Sequence, residues 1–318
     1  MSFEILRNIA LTLSNTQKEQ VDTLTEDTPF LDIVPFTAAT HDWWHNVAVL
    51  DTTDSMDLVD VDAPLPAITS RKKLEKFDLV GFGGSLTVPE ELAKKYGSAD
   101  KYFEDHLKPV IKSSGMKMEK RIAYYSLRQY AIDNRSKGKN VYDAGGTGNN
   151  NYSIIAIRFE EGVCQGLYNA NGFGEGGIFD LKPLNNGALY EINSDRVLGY
   201  GVRLRSGFGY MTIGTRNVGA IVNIDLTRDT DKAKPKAGPT AMMIDDMLAD
   251  IRSTSTGRTV MVMAAKVKGE IVRGNKDTVI QMRPKDKIID RDLESWGGVP
   301  IVVSYNMEEG TEKKVSLS

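Results

Sequence analysis

Residues 41–84 read "HDWWHNVAVLDTTDSMDLVDVDAPLPAITSRKKLEKFDLVGFGG", and they decide the fold. The aromatic and β-branched start, 41–51, is typical of a strand, and the part from Arg71 to Gly84 is expected to return as a second strand. Between them lie Asp residues at 51, 54, 57, 60 and 62 and prolines at 64 and 66. This predicts an extended hairpin with an acidic tip. A hairpin of this kind has too little apolar surface to form its own core, so it needs a surface outside the monomer.

The charge distribution along the chain is uneven although the net charge is only −3. Residues 1–62 hold twelve acidic and two basic residues, a balance of −10, whereas residues 63–140 hold nine acidic and sixteen basic, a balance of +7. Two solvated faces of a monomer explain this, and so does contact between acidic and basic segments of different copies. The small net charge argues against gripping nucleic acid along the whole surface.

Length and composition indicate a folded, soluble protein of one or two domains. The chain has 318 residues, of which 41% are hydrophobic and 26% charged, and it has room for a sizeable core. The single cysteine, Cys164, excludes an internal disulfide framework and fits a reducing compartment. Without a signal peptide or a long apolar segment, the chain is expected to fold in the cytoplasm.

The most helical part of the chain follows residue 98. Ser98 is an expected N-cap, and Pro109 is expected to kink or restart the helix, which then continues to residue 133. Positions 107, 111, 115, 118, 122 and 125 form one stripe at helical spacing.

The rest of the chain is rich in strands and then alternates helices and strands. Residues 152–226 contain several glycine-punctuated strands. From Thr240 onward the pattern predicts helix, buried strand, helix and buried strand, which is a small α/β unit. The last strand lies in "SWGGVPIVVSYN" (295–306), where Gly297 and Gly298 allow a tight turn. We expect that strand to be central or near-central, with Pro300 at its beginning or at a bulge.

No constellation of catalytic or metal-binding residues is present. His41 and His45 lie in a strand-like stretch without an acidic partner, and His106 is expected on a solvated helical face. The glycine-rich loops at 143–150 and 171–177 lack the context of nucleotide-binding loops, the Asp run lacks the order of a calcium loop, and Cys164 is expected to be a small buried residue. No cofactor, metal or catalytic residue is predicted, and the chain is not expected to be an enzyme.

Three segments carry a resemblance to a known family. They are "NVYDAGGTGNNNYSIIAIRFEEGVCQGLYNANGFGEGGIFDL" (140–181), "GYMTIGTRNVGAIVNIDL" (209–226), and "MMIDDMLADIRS" with "WGGVPIVVSYNMEEGTEKKV" (242–253 and 296–315). With the preceding hairpin and helix, they resemble the major capsid proteins of tailed bacteriophages with the HK97-type fold, in the branch typified by epsilon15. The resemblance runs in order from about Thr23 to Val315.

The resemblance implies an α+β fold with four parts. Residues 1–36 would be the N-terminal arm and 37–80 the E-loop, the hairpin that lies across a neighbouring subunit. Residues 81–144 and 145–230 would be the P-domain, with its long spine helix and its β-sheet, and 231–318 the α/β A-domain. In the commonest layout of this fold the A-domain unit comes before the long P-domain strands, whereas here the strand-rich section comes first.

The implied function is a major capsid protein that self-assembles into an icosahedral phage head around double-stranded DNA. Partners would be further copies in hexamers and pentamers, a separate scaffolding protein and a portal protein, with room for a decoration protein. The DNA would be enclosed without specific binding and no membrane would be involved. Assembly in the host cytoplasm would place the protein in the virion capsid.

The expected intersubunit contacts of the E-loop combine its acidic tip and its basic return strand. They are Asp54, Asp57, Asp60, Asp62, Arg71, Lys72, Lys73 and Lys76. Some relatives form Lys–Asn isopeptide bonds, and Lys72, Lys73 and Lys76 lie where such a lysine could be, although no catalytic context accompanies them.

Two other functions fit the sequence. An encapsulin-type nanocompartment shell shares the fold and would form closed particles without DNA. A soluble α/β enzyme with a ligand site in the late sheet would form only monomers or small oligomers.

Overall fold

A computed structural model describes residues 15–56, 58, 67–169, 179–192, 196–228, 235–254, 257–274, 295–307 and 310–317. The chain is an α+β protein with two six-stranded sheets, a separate two-stranded sheet and one long helix. The predicted loop at 171–177 and the arm residues 1–14 lie outside the described residues.

The first half of the chain contains the hairpin and the helices. Its elements are α1 (Asn15–Thr25), β1 (Phe36–Ala38), β2 (Trp44–Thr53), β3 (Ser70–Asp78), β4 (Val80–Pro89), α2 (Glu90–Tyr96), α3 (Ala99–Lys120), a π-helical segment (Arg121–Arg128), α4 (Gln129–Asp133) and α5 (Arg135–Gly138). Together α3, the π-helical segment and α4 make one continuous helix, called here the long helix (residues 99–133).

The second half supplies most of the strands. Its elements are β5 (Val141–Asp143), β6 (Tyr152–Phe159), β7 (Cys164–Tyr168), β8 (Phe179–Pro183), a 3₁₀ turn (Leu184–Gly187), β9 (Tyr190–Glu191), β10 (Leu198–Thr212), β11 (Val218–Ile224), α6 (Ala241–Asp250), β12 (Arg258–Met263), α7 (Ala265–Gly274), β13 (Ser295–Trp296) and β14 (Val299–Val303).

The first sheet is built on β10, its longest strand. The order is β1-β7-β10-β4, and β8 and β9 also pair with β10. Strands β10 and β4 are antiparallel in unbroken register from Gly199↔Pro89 to Phe208↔Val80. Leu86 and Val88 of β4 pack with Phe103 of the long helix, so the N-terminal half of this helix covers the sheet beside its edge.

The second sheet has the order β13-β14-β12-β6-β11-β5 and is covered on both faces. All eight residues of β6 are buried. Ile154 and Ala156 face one core, shared with Met247 of α6 and Val267 of α7. Their neighbours at 155, 157 and 159 face a second core that includes the long helix and the arm. A strand whose apolar run, residues 154–157, points to both faces of the sheet needs this two-sided burial.

The long helix begins as predicted. Ser98 is extended and its side chain accepts a hydrogen bond from the backbone N–H of Lys101, as an N-cap does. The predicted restart at Pro109 is wrong, because α3 runs through this residue from Ala99 to Lys120. At about 1.5 Å per residue the long helix extends roughly 50 Å.

The π-helical segment changes which side of the long helix is buried. Ile111, Gly115, Met118 and Ile122 of the predicted stripe are buried, but Tyr125 is 57% exposed. Hydrogen bonds from residue i to i+5 add a residue to the turn and rotate the following side chains. Buried positions after 122 are therefore 123, 124, 127 and 131.

Sheet membership differs from the expected grouping of residues 145–230. Strands β6 and β11 of that range do not join β7–β10 but pair with each other, and β6 also pairs with β12 from the range 231–318. Among the described residues no strand pairing joins β6 to β7, and an isolated bridge between Glu160 and Cys164 lies where the chain passes from one sheet to the other.

The strand in "SWGGVPIVVSYN" is not central. It is β14, which pairs in parallel with β12 on one side and only with the two-residue β13 on the other. The predicted turn is confirmed, because Gly297 and Gly298 have φ values of 54° and 83° between the paired residues Trp296 and Val299. Pro300 is the second residue of β14, where its missing N–H is tolerated near the sheet edge.

Candidate assembly interface

The predicted hairpin is present, and it stands apart from both large sheets. Strands β2 and β3 pair from Trp44↔Asp78 to Thr53↔Ser70, with a bulge between Leu50 and Thr52, and form a two-stranded sheet of their own. The return strand is shorter than predicted. It ends at Asp78, and after the buried Leu79 the chain enters β4 in the first sheet.

In the described part of the hairpin, its base packs on the body of the chain. Val47 and Phe77, on one face, contact a small core of Leu79, Leu167 and Met211. The opposite face carries the exposed side chains of Ala48, Leu50, Lys72 and Leu74, and the exposed fractions of Leu50 and Leu74 are 52% and 73%. An isolated two-stranded sheet with apolar side chains in solvent is marginal in water. The hairpin therefore has the form of an element completed by another surface.

The predicted contact residues of the hairpin differ in their exposure and in their partners within the chain. Arg71, Lys72 and Lys73 are exposed. Lys76 is already engaged, because its Nζ lies 2.9 Å from a carboxylate oxygen of Asp78 and 5.0 Å from the ring centre of Trp44. Asp57, Asp60 and Asp62 lie outside the described residues.

Asp54 has a role within the hairpin. Its Oδ2 accepts hydrogen bonds from the backbone N–H (3.0 Å) and the hydroxyl (2.7 Å) of Thr69, and its own N–H donates to the carbonyl of Thr69. The hydrogen bonds from Thr69 hold the pKa of Asp54 below its ordinary value. Asp54 therefore joins the two arms of the hairpin at the start of the tip.

Glu119 is a buried carboxylate in the long helix that sequence reasoning missed. Its Oε2 accepts from the backbone N–H groups of Phe30 (3.1 Å) and Leu31 (3.4 Å), and its Oε1 accepts from the Ser304 hydroxyl and from Asn306 Nδ2 (3.2 Å). Burial raises its pKa, and the hydrogen bonds partly offset the rise. Glu119 thus joins the arm and the end of β14 to the long helix. The available signal was its place beside Met118 in the apolar stripe.

Glu312 is a second buried carboxylate, and it lies in the "TE" near the C-terminus. It is 3.0 Å from Arg128 Nη2 and accepts hydrogen bonds from the hydroxyls of Tyr124 and Ser153, the latter at 2.5 Å. Removal of one partner from such a buried pair costs about 3–5 kcal/mol. The contact fixes the segment after β14 against the π-helical segment and β6.

The histidines and the cysteine have local structural roles. His45 Nδ1 accepts from the backbone N–H of Thr40, and burial lowers the pKa of His45. His106 is half-buried and stacks on Tyr102 at 4.0 Å, so the predicted solvated position is wrong. Cys164 is buried, as predicted, and burial raises the pKa of its thiol to about 11. Among the described residues no group of three or more His, Cys, Asp or Glu side chains could hold a metal ion.

A groove of about 430 Å³ runs between β4 and the long helix. Phe82, Leu86, Leu107 and Val110 give it an apolar lining, β10 forms part of its floor, and Lys117 also lines it. In the part of the chain that the structure describes, no helix is both long and apolar enough to span a bilayer.

The fold is that of the HK97-like shell proteins. A chain of bacteriophage epsilon15 aligns with a TM-score of 0.54 and 14% identity over 89% of this chain and 88% of that chain. A procapsid chain of bacteriophage JBD30 aligns with a TM-score of 0.46 and 9% identity over 92% and 96%. A chain of the SrpI encapsulin complex of Synechococcus elongatus PCC 7942 aligns with a TM-score of 0.43 and 11% identity over 63% and 88%.

The chain belongs to the family of the major capsid protein GP7, whose model matches residues 122–316, more than half of the chain. No curated protein sequence matches the chain. It is therefore a capsid protein of a bacteriophage, a structural component of an oligomeric virion shell. The family match favours this function over an encapsulin shell and over a soluble enzyme.

Proposed function

We propose that the chain builds the icosahedral head of a tailed bacteriophage around double-stranded DNA, as hexamers and pentamers. The observation that carries the proposal is the hairpin, whose two strands pair only with each other among the described residues and which exposes an apolar face. Docking on a neighbouring copy would bury that face. Closed symmetry multiplies such contacts, so each of them can be weak in a stable shell.

The charges of the hairpin would steer this docking. Arg71, Lys72 and Lys73 are exposed on its return strand, and residues 1–62 are strongly acidic. Contacts between exposed charges of opposite sign orient partners and weaken as ionic strength rises. Lys76 would contribute less, because it is paired with Asp78 in the same chain.

The four-part division remains part of the proposal, with its contents adjusted to the sheets. The arm is residues 1–36, the E-loop 37–80, the P-domain 81–144 and 145–230, and the A-domain 231–318. Strands β5, β6 and β11 belong structurally with the A-domain strands β12 and β14, because all five lie in the second sheet. The P-domain then keeps the long helix and the first sheet.

Assembly would take place in the host cytoplasm with a separate scaffolding protein and a portal protein, and it leaves room for a decoration protein. The net charge of −3 supports enclosure of DNA without specific binding, because a strongly basic lining would hold the genome. No catalytic step is proposed.

The test is a charge reversal at two exposed lysines of the return strand, Lys72→Glu with Lys73→Glu. We expect folded subunits with at least a tenfold lower yield of shells, measured by sedimentation and electron microscopy. Additional charge reversal at Lys76 should lower the yield of shells only slightly further. The matched control is Lys313→Glu with Lys314→Glu, the same change at two exposed lysines outside the hairpin. Wild-type shell yield from the hairpin variant would refute the docking role.

A further inference from the structure

A second cavity, of about 470 Å³, has a charged lining, unlike the apolar groove beside β4. Leu226 and Arg228, which follow β11, form one wall. The other wall is one face of α7, because its lining residues are mostly three or four positions apart. They are Ala265, Lys266, Gly269, Glu270 and Arg273. The volume lies within the range of roughly 300–1,000 Å³ that is typical of small-molecule sites.

The cavity lies at the edge of the second sheet where its parallel strands end. Strands β11 and β12 are both antiparallel to β6, so they run parallel to each other on either side of it. Strand β5 is parallel to β11, and β14 is parallel to β12. Leu226 comes directly after the end of β11, and Ala265 comes directly after the end of β12. In open α/β sheets, small ligands bind outside this carboxyl edge.

The charged side chains of the lining leave an excess of two positive charges. Arg228, Lys266 and Arg273 are exposed cations. Glu270 is the one carboxylate among the described residues that line the cavity, so three positive charges stand against one negative charge. A concave surface with charges of mainly one sign concentrates the electrostatic field inside it. The cavity therefore attracts anions.

Glu270 orients the two arginines of the cavity. It is buried, and its Oε2 accepts hydrogen bonds from Nη2 of Arg228 and, at 3.2 Å, from Nη1 of Arg273. Both guanidinium groups thus converge on one carboxylate oxygen. A guanidinium has five N–H donors in a planar fork, so each arginine has donors besides the one that it directs at Glu270. Holding these forks in place before binding lowers the entropic cost of capturing an anion.

Gly269 is a glycine that the packing of α7 does not require. It lies inside the helix, where glycine is less favourable than alanine. A Cβ atom there would meet no atom of the described residues within 4 Å, so a larger residue would fit. Gly269 also lines the cavity. The missing side chain leaves room for a ligand to approach the helix backbone between the cationic side chains.

We propose that this cavity binds a small phosphate dianion, either inorganic phosphate or the terminal phosphate of a mononucleotide. At about pH 7 a phosphate monoester carries close to two negative charges, which matches the excess charge of the cavity. A DNA phosphodiester and a protein carboxylate carry one charge each. Arginine forks bind phosphate oxygens in pairs, and the volume has room for a nucleoside beside the phosphate. The inference goes beyond the shell function and does not depend on it.

Equilibrium dialysis of the full-length chain against two radiolabelled probes, inorganic phosphate and deoxyadenosine monophosphate, tests the proposal. We expect saturable binding of at least one probe, with one molecule per chain. Binding of the nucleotide at least tenfold tighter than binding of phosphate would identify a nucleotide as the ligand, and similar affinities would identify phosphate alone. No saturable binding of either probe would overturn the inference. The measurement applies to subunits and to shells, so a failure of shell assembly is recognised separately.

Two variants locate the binding in this cavity. Gly269→Leu fills the space beside α7 with a side chain that favours helix, and we expect at least tenfold weaker binding by a folded chain. The matched control is Gly274→Leu, at the exposed last residue of the same helix, where a Cβ also has open space. Lys266→Gln should weaken binding at least threefold, whereas Lys268→Gln, which is not among the described lining residues, should not. Wild-type affinity in Gly269→Leu would contradict the assignment.

Competition against bound phosphate identifies the class of anion. Sodium acetate at the same concentration as phosphate should displace at least tenfold less of it. Displacement by acetate equal to that by phosphate would show a site for a carboxylate, such as one from a neighbouring copy. Stronger displacement by a short DNA duplex without terminal phosphates would show a surface for DNA. Either of these two results would overturn the inference.

Discussion

At the scale of single residues, Glu119 is an ionisable side chain that lies in the protein interior. It is 1% exposed, and its four hydrogen-bond donors come from the arm and from the end of β14. Because burial raises its pKa above the ordinary 4.5, the folded chain binds this proton more tightly than the unfolded chain does. The stability linked to Glu119 is therefore fully present below about pH 4.5 and is lost as the pH rises through the raised pKa.

This linkage predicts the effect of Glu119→Gln. The amide keeps an acceptor for the backbone N–H groups of Phe30 and Leu31 but cannot ionise, so the variant should gain stability relative to wild type as the pH rises. Each unit of pKa shift corresponds to about 1.4 kcal/mol. Denaturant unfolding of unassembled subunits from about pH 4.5 to about pH 8 measures the difference. Glu104→Gln, on the exposed side of the same helix, is the control, and parallel pH profiles for wild type and Glu119→Gln would contradict the assignment.

Residue types in the hairpin could be predicted from the sequence, but their partners could not. The composition of 41–84 located the exposed cations. It did not show that Lys76 is paired, because its contact with Trp44 depends on the strand register, and register has no local signal in a short polar hairpin. Glu119 was missed for a related reason, since its donors lie 88 and 185 residues away along the chain.

At the scale of elements, the turn between β13 and β14 depends on backbone conformation alone. Gly297 and Gly298 both have positive φ, which two-residue hairpin turns of type I′ require. A Cβ atom at Gly298 would meet nothing within 4 Å. The only energetic cost of a side chain there is therefore that of holding a non-glycine residue in the left-handed backbone conformation.

The two glycines Gly298 and Gly269 should therefore respond in opposite ways to alanine. Gly298→Ala is expected to lower the free energy of unfolding by about 1 kcal/mol. Gly269→Ala, inside α7 and also with open space around its Cβ, is expected to raise it by about 0.5–1 kcal/mol. Denaturant unfolding measures both. A neutral or stabilising Gly298→Ala would show that the turn does not require positive φ.

Elements with a strong local pattern were predicted well, and those that depend on hydrogen-bond geometry were not. The helix predicted from Thr240 onward is present as α6, which Thr240 caps and whose Ile244, Met247 and Leu248 are buried. The exposure of Tyr125 follows from the π-helical segment, whose extra residue per turn is not visible in apolar spacing. The helix was predicted to restart at Pro109 because a proline usually breaks a helix interior. It continues because the packing of the long helix against α1 and the two sheets outweighs that local preference.

At the scale of the whole molecule, the two large sheets are joined by the long helix, and the hairpin extends from the first sheet. The α+β class could be predicted from the sequence. The second sheet could not, because its strands come from 141–159, 218–224, 258–263 and 295–303, and pairing between such distant segments has no sequence signal of its own. The continuous apolar run of β6 was the one indication that this strand would be central.

The shell function requires both a folded body and a hairpin that reaches a neighbour. A variant in which residues 49–73 are replaced with Asn-Gly tests these two requirements separately. Ala48 and Leu74 are paired directly across the hairpin, so a two-residue turn can close it there. The variant keeps the packing of Val47 and Phe77 at the base and removes Asp54, Leu50 and the basic residues 71–73.

Electron microscopy of particles from phage-producing cells, which supply the proposed scaffolding and portal proteins, with the wild-type chain or this shortened variant tests the central claim most directly. The wild type is expected to form closed shells of uniform diameter, and in phage-producing cells those shells should hold nuclease-protected DNA. The shortened variant should remain a folded, unassembled subunit. Only monomers or small oligomers from the wild type, or shells from the shortened variant at wild-type yield, would contradict the account.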